Sequence, residues 1–155
     1  MQRATNNYLL WSGSAAGVAG LLHLATIFGG PAWYRLIGAT EPIIRMAARG
    51  HPYPAIVCVV AATLLFACAC YAFSGARMLP RLPLLRTALV LITAGLLLHG
   101  LALIPLVWWS PQMMIGVYDG QGINTNLIVN SIVCTVAGIG YGLGTRQAWH
   151  AGTPT

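Results

Sequence analysis

The sequence predicts an all-α membrane protein, a bundle of four transmembrane helices with a short interfacial helix in the first outer loop. Three observations carry that expectation. Hydrophobic residues make up 57% of the chain and charged residues 6%, where soluble domains carry about 25% charge. The charged side chains all fall outside four apolar runs at about residues 8–29, 54–75, 87–109 and 123–144. Each run is about 22 residues long, and a helix of that length covers about 33 Å, enough to cross a hydrocarbon core about 30 Å thick. A chain of 155 residues is one membrane domain, with no room to hide four such segments in a soluble core.

The first run follows only Arg3 and is longer than the roughly 7–15 apolar residues of a cleaved signal peptide, so it is read as a permanent span. Small residues recur in it at helical spacing: Ser12, Ala16 and Gly20 on one stripe, Gly13 and Gly17 on the next. Helices in lipid associate through close backbone approach, which such stripes permit. The loop at residues 30–53 contains a short helix. Thr40 is its N-cap, Glu41 and Pro42 open it, and Gly50 with Pro52 ends it. Glu41, Arg45 and Arg49 share one face, and Ile43, Ile44, Met46 and Ala47 fill much of the rest. That pattern predicts a helix lying along the membrane surface with its apolar side down, or a lid over a cavity between the spans.

The second span holds Cys58, Cys68 and Cys70, and the fourth holds Cys134. Cys68 and Cys70 point about 200° apart on a helix and cannot share a metal or a disulfide partner. All four are read as small packing residues. The loop at residues 76–86, with Pro80 and Pro83, is short enough to make spans two and three an antiparallel hairpin. The third span carries His99, and the loop after it carries Asp119. In the fourth span Asn126 and Asn130 share a face, Asn124 lies on another, and glycines pair at 138 with 142 and at 140 with 144. The glycine stripes of the first and fourth spans require intimate neighbours, either in the same chain or in a second copy or membrane partner.

The net charge of +6 is carried by Arg alone, set against Glu41 and Asp119. These arginines sit in turns between spans, which argues for membrane orientation and against nucleic-acid binding. Arg3, Arg77, Arg81, Arg86 and Arg146 fall on one side of the membrane, and Arg35, Arg45 and Arg49 on the other. The imbalance puts both termini in the cytoplasm. Tyr8, Trp11, Tyr71, Phe73, Tyr141 and Trp149 gather at the inner edge. Trp33, Tyr34, Tyr53, Trp108, Trp109 and Tyr118 gather at the outer edge, where amphipathic rings anchor a span.

Polar groups inside a membrane are the usual place to look for function. His23 lies about 22 Å along the first span and His99 about 18 Å along the third. The predicted topology makes these spans parallel, so both imidazoles reach the outer half of the bilayer. Together with Asn126 and Asn130, and roofed by the short helix with Arg45, they form a predicted polar pocket opening outward. The leading reading is a binding site for a hydrophobic ligand or a membrane partner. A second reading places haem b between His23 and His99 for electron exchange with quinone. A third is an enzyme acting on lipid headgroups through Glu41, His51 or Asp119, the same groups that could form an outer metal site. No nucleophile–base pair or metal-ligand spacing stands out. The spans hold no charged residue, which argues against ion conduction.

The runs Gly29-Gly30-Pro31-Ala32-Trp33-Tyr34-Arg35, Gly38-Ala39, Tyr71-Ala72-Phe73-Ser74-Gly75-Ala76 and Leu82-Pro83-Leu84-Leu85-Arg86 resemble a family of small, uncharacterised four-span bacterial inner-membrane proteins. The layout is similar, more distantly, to DoxX-like four-helix membrane proteins. The resemblance spans most of residues 20–150 and implies a bacterial inner-membrane bundle. It brings no settled activity. It also implies Arg at the position of His99, which counts against a fixed haem ligand there.

Overall fold

The computed structural model describes residues 6–102, 104–105 and 125–150, the side chains of 125–127 and 150 excepted. Five helices follow one another in the described residues: α1 (Asn7–Leu36), α2 (Glu41–Ala48), α3 (Tyr53–Gly75), α4 (Leu85–Leu101) and α5 (Thr125–His150). Among these residues there is no strand. Three helical stretches, Asn7–Leu36, Tyr53–Gly75 and Ile128–Trp149, are long and apolar enough to cross a membrane, and α4 is a shorter apolar helix. The rest of the third predicted span, from residue 106, lies outside the described residues, as do Trp108, Trp109, Tyr118, Asp119 and Asn124.

Two helices outrun their sequence boundaries. Helix α1 continues to Leu36 across a kink at Gly30, whose φ of 67° and ψ of −163° are open to glycine. Pro31 follows the kink, where its missing N–H is no loss because the second helical segment starts there. Helix α5 extends past Gly144 because Arg146, Gln147 and Ala148 are good helix formers and no Pro stops them.

The distribution of side chains is inside-out. The interior is lined by small residues, with Ala62, Ala69, Ala72 and Ala76 all buried. Large apolar side chains such as Leu64, Leu91, Leu98 and Phe28, the last 90% exposed, face outward. A soluble protein would put these groups in its core, and such an apolar exterior fits a membrane-embedded protein. Threonine hydroxyls in the helices are satisfied locally, whereas the buried Tyr141 hydroxyl has no hydrogen-bond partner among the described residues. Thr26, Thr63, Thr93, Thr135 and Thr145 each donate to the carbonyl four residues back, at 2.7–2.8 Å.

The glycine stripes are used within the chain. A Cβ added at Gly13 would stand 2.8 Å from Ala72 Cβ, and one at Gly20 3.0 Å from the Phe66 ring, so α1 lies close on α3. Gly138 meets Leu97, Gly142 meets Thr93 and Gly100 meets Thr135, so α5 lies close on α4. Gly140 meets Ser12 and Gly144 meets Leu9, which seats α5 on α1. The bundle therefore pairs α1 with α3 and α4 with α5, joined along α1–α5. The expected hairpin of spans two and three is present, but α3 and α4 touch far less. The glycine of α3 that faces α4, Gly75, meets Leu89.

One end of the bundle, here the arginine end, is closed by a core of Leu9, Ala72, Ala76, Leu89 and Tyr141. Asn6 locks it. Its Oδ1 accepts from the Leu9 N–H at 3.3 Å as the N-cap of α1, and its Nδ2 donates to the Gly144 carbonyl at 2.6 Å. Asn6→Ala removes both bonds from a buried site. It should destabilise the bundle by about 1–2 kcal/mol, read as a lower unfolding midpoint in detergent, with Asn6→Asp recovering part of the loss.

At the opposite end, Ile44 of α2 packs on Tyr34 and Cys58. The apolar side of α2 thus rests on its own α1 and α3. Thr40 occupies the N-cap position, as expected, without a side-chain capping bond.

Candidate functional site

Polar side chains at the α2 end fall on stripes that build the core at the arginine end. On α4, Ile92 and Leu96 pack against the core cluster, and His99 continues their face at seven- and three-residue spacing. On α5, Tyr141 is fully buried in that core. Cys134 and Asn130 continue its face toward the α2 end, at offsets of seven and eleven residues. On α1, His23 extends the stripe of Leu9 and Ala16 in the same way. All three stripes turn inward, yet His99 and Asn130 are exposed and His23 is half-buried. Among the described residues α3 and α4 touch little, so neither covers these side chains with the other.

His99 and Asn130 meet. Asn130 Nδ2 lies 3.3 Å from His99 Nε2. With the amide donating, the imidazole is neutral and carries its proton on Nδ1. Cys134 Sγ donates to Asn130 Oδ1 at 3.9 Å. Cys134, expected as a packing residue, joins the polar set, and its one-turn offset from Asn130 is the sequence signal that ties it there.

His23 is held differently. Its Nδ1 stands 2.8 Å from the Ala19 carbonyl of its own helix. That bond fixes the proton on Nδ1 and leaves Nε2 with a lone pair, able to accept a hydrogen bond. His23 and His99 share no hydrogen bond, and each ring has a different partner. The backbone of Asn126 lies one turn before Asn130 on α5, and its side chain lies outside the described residues. Arg45 lies on the exposed face of α2 beside Pro42, Met46 and Arg49. The helix carrying it rests on α1 and α3, so the expected roof sits over that half of the bundle.

The remaining candidates are scattered. Glu41 opens α2, and His51 is exposed, with its Nδ1 accepting from the Tyr53 N–H at 3.2 Å. Among the described residues no group of three His, Cys, Asp or Glu is placed to hold a metal ion. All four cysteines are free thiols.

On the far flank of the α4–α5 seam lies an apolar groove of about 310 Å³, lined by Leu101, Ile104, Ile128, Ile132 and Val136 among others. It suits an acyl chain, and among the described residues it offers no polar anchor, since the Thr135 hydroxyl beside it is already bonded to the Ser131 carbonyl. No family model, curated protein or solved structure matches this chain.

The α2 end offers hydrogen-bonding groups on three helix faces: the second ring nitrogen of His23, that of His99 and the Asn130 amide. Such a set can fix one polar group of a mostly apolar molecule.

Proposed function

We propose that this chain is a non-catalytic binding protein of the bacterial inner membrane, crossing it four times with both termini in the cytoplasm. It takes up an apolar molecule with one polar group at the α2 end, between α1 and α4–α5. His99 and Asn130 hold the polar group, and His23, Asn126 and Arg45 complete the surroundings.

The observation behind this reading is the hydrogen bond between His99 and Asn130 on inward-turned faces that are nonetheless exposed. Leaving such groups open to hydrocarbon is costly, because lipid chains cannot pair with them. A ligand or a membrane partner bearing a hydrogen-bonding group removes that cost.

Native mass spectrometry of the protein released from nanodiscs tests the reading. The wild type should carry a small-molecule adduct, and the double variant His99→Phe, Asn130→Leu should lose it. The bond removed is worth only about 1 kcal/mol between helices in lipid, so the variant should keep its helical content and nearly its unfolding midpoint. An adduct retained in full by the double variant sinks the proposal. An absorption spectrum of the same sample decides the redox alternative: a Soret band would move the reading to haem b on His23 and His99. That ligation would have to displace Asn130 from His99 Nε2 or use Nδ1.

A further inference from the structure

The arginine end contains a cavity unrelated to the polar pair. It measures about 240 Å³ and is lined by Arg77 and Arg81 from the α3–α4 connection, by Leu85 and Arg86 of the first turn of α4, and by Thr145 and Trp149 of α5. We propose that it binds a phosphate-bearing anion, with the three guanidinium groups as its ligands.

Charge is the first support. Three arginines converge on one concavity, and among the described residues none makes an ion pair or a side-chain hydrogen bond. The acid described, Glu41, is at the other end of the bundle. Three like charges gathered without a counter-ion repel one another, and a bound anion removes that repulsion. Guanidinium forks match phosphate oxygens in paired hydrogen bonds.

Shape is the second support. The connection is shaped so that it gathers these side chains. Arg77 and Leu84 both adopt left-handed backbone, with φ of 67° and 54°, a conformation rare outside glycine. Buried Ser74 clasps the turn, donating to the Pro80 carbonyl at 2.8 Å and accepting from the Leu82 N–H at 3.0 Å. The first turn of α4 opens onto the same cavity through Leu85 and Arg86, without a capping side chain or an acidic residue. Its N–H groups add positive potential to that of the arginines.

The walls indicate what carries the phosphate. Leu85, Leu89, Ala148 and the Trp149 ring line the cavity beside the arginines. An anion above apolar walls at the end of membrane helices is the arrangement of a phospholipid headgroup over its chains. Free phosphate presents the same oxygens, so the two sources must be separated by experiment.

The full-length protein in detergent micelles is titrated with phosphatidylglycerol or with phosphatidylcholine and followed by native mass spectrometry. The expected result is retention of phosphatidylglycerol over phosphatidylcholine. Affinity should fall about fivefold for each of Arg77→Gln, Arg81→Gln and Arg86→Gln, and about a hundredfold for the triple variant. Arg49→Gln, at the opposite end, should change nothing. Competition by millimolar inorganic phosphate identifies a free phosphate ligand; resistance to it identifies the lipid. Circular dichroism checks the triple variant, and the single variants decide the matter if it does not fold. Equal retention of the two lipids with no phosphate binding, or undiminished phosphatidylglycerol binding in the arginine variants, overturns the proposal.

Discussion

Adding one methyl group at Gly100 is expected to lower the stability of the bundle by about 2–3 kcal/mol. The same change at Gly95, on the same helix, should be neutral or stabilising by up to about 1 kcal/mol. The contrast follows from what each new Cβ meets. At Gly100 it would stand 2.7 Å from the Thr135 backbone nitrogen and 2.8 Å from the Ser131 carbonyl oxygen, and it would also meet the Thr135 hydroxyl. Backbone atoms of a neighbouring helix cannot rotate aside, so α4 and α5 must separate. At Gly95 nothing lies within 4 Å, and only the gain in helix propensity is left.

Reversible unfolding in mixed micelles measures both variants. His99 is the neighbour of Gly100 in sequence, and Asn130 is the neighbour of Ser131. Separating the helices should therefore also break the 3.3 Å contact between them. Gly100→Ala should lose the small-molecule adduct along with stability, and Gly95→Ala should keep both. Equal destabilisation by the two substitutions would mean that α4 and α5 do not approach at Gly100.

The membrane character of the chain was legible because charge and length leave few alternatives. Which helix lies on which was not. A glycine stripe announces a close neighbour without naming it, and sequence order favoured α3 against α4. The bundle instead pairs α1 with α3, because Gly13 and Gly20 find Ala72 and Phe66 there, while Gly75 gives α4 a smaller contact.

The polar residues were legible by type and depth, and their partners were not. His23 turns to its own helix at Ala19, a bond that no spacing between spans could announce. The role of the turn arginines was read from their number on one side. Their convergence on a cavity depends on left-handed backbone at Arg77 and Leu84, two residues whose types give no hint of it. The Gly30-Pro31 pair was read as the end of a span. It is a kink inside a longer helix, because Pro suits the first turn of the segment that follows.

Leu9→Ala is expected to destabilise the protein by about 2–4 kcal/mol, although lipid removes most of the usual hydrophobic reward for burial. Leu9 is fully buried and fills the gap among the helices at the arginine end. A Cβ on Gly75 of α3 would lie 2.7 Å from Leu9 Cδ1, and one on Gly144 of α5 would lie 3.0 Å from the Leu9 backbone nitrogen. The side chain is a knob seated against glycines on two neighbouring helices, with Leu89 of α4 and Tyr141 of α5 in the same core. Truncation leaves a void whose walls lose their dispersion contacts, and that loss is the same in lipid as in water.

A double-mutant cycle separates this account from simple loss of apolar surface. In the wild type Gly75→Ala pushes a methyl against Leu9 and should cost about 1–2 kcal/mol. In the Leu9→Ala background the same methyl enters the vacated space and keeps only the 3.1 Å approach to the flexible end of Leu89, so it should cost clearly less, giving a coupling of about 1–2 kcal/mol. Additive effects would show that Leu9 and Gly75 do not share a contact. The packing that closes the arginine end would then have to be sought elsewhere on α3.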